Sequence, residues 1–185
     1  MENQKILFLH SAGPQTENEG STGLLNYLKE YLPEYYKIIA PQLPNPKDPS
    51  YEAWKDEISL NLQNQGDLII IGHSLGGSFL LKYLSEEQIH TSLKAIYIIS
   101  APFWGLDEEW QNSDYVLTED FGSRLPETGH KAIYHSDMDN IVPLTHFRAY
   151  SDAVKFNESH IVMDESHTFE RGLPELVGSI KHLND

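Results

Sequence analysis

Residues 72–76 read Gly-His-Ser-Leu-Gly, a serine set between glycines. A serine hydroxyl is a weak nucleophile at neutral pH. It needs a base to take its proton, and the base needs an acid to orient it. Downstream, Asp137 and Asp139 lie in "HSDMDNIVP" and His167 lies in "DESHTF". Together, such residues perform acyl transfer to the serine, followed by hydrolysis. The chain has no cysteine, which excludes thiolate catalysis, disulfides and cysteine metal sites.

The setting of Ser74 strengthens the pattern. Apolar residues 68–71 precede it and an apolar stretch, "SFLL", follows. G-x-S-x-G between a strand and a helix is the setting of a nucleophile elbow, where the serine takes a strained backbone conformation. Flanking glycines let the helix and the neighbouring strands come close. The helix N-terminus and the backbone N–H of Leu75 then face a developing oxyanion. A second donor is expected from the loop after the first strand, "LHSAGPQ", through the backbone N–H of Ser11 or Ala12. His10 precedes the serine, so its expected role is structural, tying that loop near the elbow.

In hydrolases with this elbow the chain order is serine, acid, histidine. Of nine histidines, His146, His160, His167 and His182 follow both Ser74 and a plausible acid. His182 falls inside a terminal helix. His160 begins a strand, which puts it at the amino edge of a sheet. His146 sits on a helix seven residues after Asp139. His167 falls in the loop after a strand, at the carboxyl edge where Ser74 must lie. Among the acids, Asp139 is deeper in its loop and is preferred. Asp137 is the alternative, solvated or capping the turn. Asp164 faces the wrong way unless its strand ends early.

These residues need a scaffold that gathers them. Apolar, β-rich runs recur at 5–10, 36–41, 67–72, 93–100, 131–136 and 160–165. Most are continuous rather than alternating, as in strands covered on both faces of a parallel sheet. Helical patterns lie between them. One follows Ser21 and one follows Ser50, each a candidate N-cap, and Trp54, Ile58 and Leu62 fall on one helix face. Others start after Ser74 and cover 143–154 and 173–183. This alternation predicts a single α/β domain over residues 1–185, with a mostly parallel sheet of about six strands flanked by helices and no separate cap domain. Residues 41–50, with four prolines, form an extended loop. The stretch 102–126 is irregular and carries Phe103, Trp104 and Trp110. Phe103 and Trp104 either line an acyl pocket or bury the loop's own small core.

A formal net charge of −15 over 185 residues argues against nucleic acid and anionic membrane surfaces, which need basic patches. No apolar run approaches 18 residues, and residues 6–9 are too few for a signal sequence. A soluble, cytoplasmic protein is expected. Its partner is a small-molecule acyl substrate, and no metal or cofactor is required. His130 and His135 show no metal-ligand spacing.

The chain resembles the small α/β-hydrolase group that includes the retinoblastoma-binding-protein-9 type and the bacterial YdeN-like serine hydrolases. The resemblance rests on "GHSLGG", on "PQLPNPKDPSYEAW" with its tryptophan Trp54, on "HSDMDNIVP" and on "ESHTF". It implies an α/β-hydrolase fold with Ser74 as nucleophile, Asp139 as acid and His167 as base. One departure concerns the first loop. Many relatives carry His-Gly there, whereas this chain has His10-Ser11, so a side chain occupies the position that supplies an oxyanion donor. Trp54 and the prolines are expected to hold a loop against the sheet. The expected activity is cleavage of carboxylic esters or related acyl bonds. The competing classes are a weakly active protein that binds a partner through the same fold, and acyl transfer or thioester or peptide cleavage by the same residues.

Overall fold

Alternating apolar runs and amphipathic segments fold as a three-layer sandwich in the computed structural model, which describes residues 3–16, 19–63 and 66–183. The strands are β1 (Gln4–Leu9), β2 (Tyr36–Ile39), β3 (Leu68–His73), β4 (Leu93–Ile99), β5 (His130–Ser136) and β6 (Glu158–Val162). They form one sheet in the order β2-β1-β3-β4-β5-β6, and every neighbouring pair is parallel. The helices are α1 (Thr22–Tyr31), α2 (Tyr51–Leu62), α3 (Leu75–Glu86), α4 (Phe121–Arg124), α5 (Leu144–Ala153) and α6 (Pro174–His182). Among the described residues there is no separate cap domain.

Strand alternation divides the core between the two faces. Ile6, Phe8, Ile69, Ile71, Tyr97 and Ile99 meet α1 and α6 through residues such as Leu24, Leu28, Leu176 and Ile180. Leu7, Leu9, Ile70, Ile96 and Ile98 meet α2, α3 and α5 on the other face. Both faces of the central strands are therefore dry, which is why their sequences are continuously apolar.

The predicted caps behave differently. Ser50 caps α2 by accepting from the Ala53 N–H at 3.3 Å. Ser21 stands at the cap position of α1, yet its hydroxyl makes no cap bond and is used elsewhere. Trp54 is fully buried, and its indole N–H donates to the Pro44 carbonyl at 2.8 Å, fixing the proline-rich loop as expected.

The last strand is displaced from its sequence expectation. It pairs with β5 from Ala132↔Glu158 to Ser136↔Val162, so it starts two residues before His160 and ends before Met163. The chain leaves the sheet there because Asp164 takes a positive φ of 59°. His160 lies mid-strand, with its ring stacked on Tyr134 at 5.0 Å and bonded to Glu158.

Candidate active site

The elbow is built by close approach of backbones. Ser74 sits between β3 and α3 with φ 53° and ψ −125°, a conformation costly for a residue with a side chain. It is held by its own N–H donating to the Ile99 carbonyl at 2.8 Å and by its carbonyl accepting from Gly77 and Ser78. A Cβ on Gly76 would sit 2.4 Å from the His10 carbonyl oxygen and 2.6 Å from that of Leu9. A Cβ on Gly72 would lie 2.6 Å from the Gly77 Cα. These two glycines let α3 dock on the ends of β1 and β3, which raises the Ser74 hydroxyl at the carboxyl edge.

The loops after β5 and β6 bring Asp139 and His167 to that edge. His167 Nε2 lies 2.9 Å from Ser74 Oγ. On the other side of the ring, Nδ1 lies 2.8 Å from Asp139 Oδ2 and 3.0 Å from Oδ1. A carboxylate only accepts, so Nδ1 carries the proton, and Nε2 is left bare to accept from the Ser74 hydroxyl. Asp139 Oδ1 also accepts from the N–H groups of Val142 at 2.8 Å and Ile141 at 3.0 Å. Burial alone would raise the Asp139 pKa, but the hydrogen bond and charge of His167, with those backbone donors, hold it at about 2. His135 buttresses the loop by donating from Nε2 to the Val142 carbonyl at 2.9 Å.

The acid loop and the histidine loop are stitched together. Asp137, the alternative acid, accepts the Asp164 N–H at 2.9 Å and does not reach the imidazole through any described hydrogen bond. Its own N–H donates to the Val162 carbonyl at 3.0 Å, and the Ser136 hydroxyl donates to the Glu165 carbonyl. The early end of β6 gives Asp164 a place in this stitch through its backbone. The remaining downstream histidines lie elsewhere. His146 is buried on α5, accepting the Phe103 N–H at 2.8 Å, and His182 bonds to the Gly178 carbonyl within α6.

The loop after β1 differs from expectation in its detail. The Ser11 N–H, one of the two expected oxyanion donors, points inward and donates to Ser21 Oγ at 2.8 Å. That hydroxyl lies at the cap position of α1 and takes the amide out of the site. The Ala12 N–H has no partner among the described hydrogen bonds, and neither has the Leu75 N–H in the first turn of α3. His10 does not make the tie expected of it. Its ring packs edge-on against Phe8 with centroids 5.2 Å apart, and its Nδ1 is buried without a hydrogen-bond partner. Burial, with the Lys29 charge, pushes His10 down to about 4, so the ring is neutral. The loop is instead gripped by the proline-rich segment. The Gly13 N–H donates to the Pro46 carbonyl at 2.6 Å, and Gln15 Oε1 accepts the Leu43 N–H at 3.0 Å.

Sequence reasoning passed over two participants, Ser21 and His73. Ser21 Oγ lies 2.7 Å from His73 Nδ1, and His73 Nε2 lies 2.8 Å from the carbonyl oxygen of His167. Both residues are fully buried. A signal existed for His73. Alternation along β3 places it on the same face as Ile69 and Ile71, beneath the serine rather than beside it.

Phe103 and Trp104 are engaged in packing. The Phe103 ring meets Tyr150 at 4.8 Å and Phe121 at 6.0 Å. The Trp104 ring meets Tyr115 at 4.8 Å and Trp110 at 5.1 Å. Through these contacts the 102–126 stretch joins the core on the α2, α3 and α5 face of the sheet rather than forming a separate one.

Comparison with known proteins agrees with this architecture. YdeN of Bacillus subtilis (strain 168) is 27% identical over 109 residues, which cover 56% of this chain and 55% of that protein. The chain thus matches about half the length of that curated relative. The crystal structure of the ydeN gene product superposes with a TM-score of 0.73 at 20% identity, covering 97% of this chain and 98% of the other. The meta-cleavage product hydrolase of Pseudomonas fluorescens IP01 gives a TM-score of 0.69 at 13% identity, covering 98% and 89%. At these identities the likeness establishes an α/β-hydrolase fold. Residues 25–170, from α1 to just beyond the histidine loop, match the family described as serine hydrolase, and with that match over most of its length the chain belongs to the serine hydrolase family.

Proposed function

We propose that the protein hydrolyses carboxylic esters through an acyl-enzyme formed on Ser74, with His167 as base and Asp139 as the orienting acid. The observation that carries this reading is the continuous contact Ser74 Oγ–His167 Nε2 at 2.9 Å and His167 Nδ1–Asp139 Oδ2 at 2.8 Å. Ser74 Oγ attacks the acyl carbon as its proton passes to His167 Nε2. The carbonyl oxygen becomes an oxyanion, held by the N–H groups of Leu75 and Ala12. The C–O bond to the leaving alcohol then breaks, and the alcohol takes the proton from Nε2. Water next gives a proton to Nε2 and attacks the acyl carbon, the Ser74–acyl bond breaks, and the carboxylic acid leaves as Ser74 recovers its proton. Asp139 keeps the imidazole in the Nδ1–H tautomer and stabilises the imidazolium.

A fluorophosphonate probe tests this reading. Wild-type protein is expected to be labelled and Ser74→Ala to remain unlabelled. A folded wild type that does not react would refute the assignment. Turnover of acyl esters of increasing chain length then defines the acyl preference.

A further inference from the structure

We propose that His73 is a positioning residue, a neutral imidazole that ties the backbone of the base to the oxyanion loop through Ser21. The proposal rests on the reading of Ser74 and His167 given above. Proton accounting sets the direction of the tie. The His167 carbonyl can only accept, so His73 Nε2 carries the proton in their 2.8 Å contact. Burial, with the nearby His167 ring, pushes His73 down to about 3, so the ring holds one proton and Nδ1 is bare. The Ser21 hydroxyl, 2.7 Å from Nδ1, must therefore donate to it. Its oxygen is then an acceptor for the Ser11 N–H at 2.8 Å.

Every donor in this series points the same way, from Ser11 through Ser21 and His73 to the carbonyl of His167. The groups are all buried, with Ser11 at 5% exposure, Ser21 and His73 at 0% and His167 at 7%. A buried chain with one consistent proton assignment is rigid, because breaking any link strands a polar group away from water. The arrangement has a consequence for the site. His73 adjoins Ser74 in sequence, holds the residue that carries the base, and fixes the Ser11 amide inward. The next amide along, that of Ala12, is the one left unpartnered. Nucleophile, base and oxyanion donor are thus all referenced to one ring. The residue at position 11 enters the series through its backbone N–H.

The test combines kinetics and spectroscopy on the full chain. Ser21→Ala removes one oxygen from the middle of the series. It is expected to lower kcat about 10- to 100-fold with KM nearly unchanged, the size typical of a misplaced catalytic group. His73→Asn, which cannot span both contacts, should behave similarly, and the double variant should lose no more than the worse single one. ¹⁵N spectra of histidine-labelled wild type should show the His73 ring, assigned through its own backbone, as an Nε2–H tautomer like those of His135 and His146, with the His73 Nδ1 signal displaced in Ser21→Ala. Wild-type kcat in a folded Ser21→Ala, additive losses, or a wild-type His73 protonated at Nδ1 would each overturn the proposal. The last readout needs no variant to fold. Fluorophosphonate labelling separates the two levels. A labelled wild type with uncoupled variants refutes only the tie, whereas an unlabelled wild type refutes the reading of Ser74 and the tie with it.

Discussion

Replacing Asp139 by Asn changes one heavy atom and should stop turnover, for a reason that can be followed bond by bond. Asp139 Oδ1 accepts two backbone N–H groups, from Val142 at 2.8 Å and Ile141 at 3.0 Å. An Asn must keep its oxygen there, because an NH₂ group would face two donors. Its NH₂ group therefore occupies the Oδ2 position, 2.8 Å from His167 Nδ1. A donor now opposes the Nδ1 proton, and the imidazole relieves the conflict by moving that proton to Nε2. Nε2 then donates toward Ser74 Oγ and can no longer accept its proton. Tautomer loss of this kind lowers kcat by about 10⁴, equivalent to about 5 kcal/mol of transition-state stabilisation. The assay is kcat on a chromogenic acetate ester, with circular dichroism to confirm folding. Asp137→Asn is the control. Its carboxylate accepts a single N–H, from Asp164, which an Asn oxygen can also accept. An Asp139→Asn variant within tenfold of wild type, or an equal loss in Asp137→Asn, would refute the reasoning.

Other perturbations follow from the same geometry. Gly76→Ala places a methyl 2.4 Å from the His10 carbonyl oxygen and 2.6 Å from that of Leu9, both backbone atoms. It should cost about 1–3 kcal/mol of stability in urea denaturation, and an unchanged midpoint would argue against a tight elbow. Trp54→Phe keeps the buried ring but removes the 2.8 Å bond to the Pro44 carbonyl. A loss of about 1 kcal/mol is expected in the same measurement, together with a lower kcat if the proline-rich loop supports the oxyanion loop. Stability should also fall in mild acid. His10 and His73 fold with pKa values of about 4 and about 3 against the ordinary 6.5, chiefly because burial disfavours their charged forms. The unfolded chain binds these protons first, so the contribution is complete above 6.5 and is lost as pH drops toward 4 and 3 respectively. The slope approaches about 1.4 kcal/mol per pH unit for each ring. Asp139 adds a further loss only below its ordinary value of 3.8, toward 2. Denaturation midpoints that stay flat between about pH 7 and about pH 4.5 would contradict the buried neutral state of these rings.

The parts of the site that were legible in the sequence are those written in local pattern. The apolar run into Gly72, the helix pattern after Ser74 and the loops after β5 and β6 all follow from strand and helix periodicity. Chain order left four histidines, position in a loop at the carboxyl edge singled out His167, depth in its loop favoured Asp139, and both lie within hydrogen-bond distance of their neighbours. What stayed hidden depends on partners far apart in the chain. Ser21 reads as a helix cap, which is its local preference, yet it bonds to His73, 52 residues away. His73 in turn bonds to the backbone of His167, 94 residues away. Two donors were equally available in the 9–15 loop until Ser21 claimed one of them. The shift of β6 has a similar origin, because pairing with β5 sets where that strand starts while the hydrophobic pattern at residues 160–165 is drawn out by exposed Ile161 and Met163.

The wiring of the sheet also orders events in time. Ser74 Oγ and His167 Nε2 touch across 93 residues of chain, and the parallel strands that carry them can pair only through long crossovers. A chain emerging from the ribosome therefore exposes its nucleophile well before its base exists. Strands β1, β3 and β4 can associate during that interval, but β5 and β6 must add at one edge before Asp139 and His167 arrive. On the proposed mechanism a partly folded chain is chemically silent, and hydrolase activity regained during refolding would mark the docking of the final strand rather than the collapse of the core.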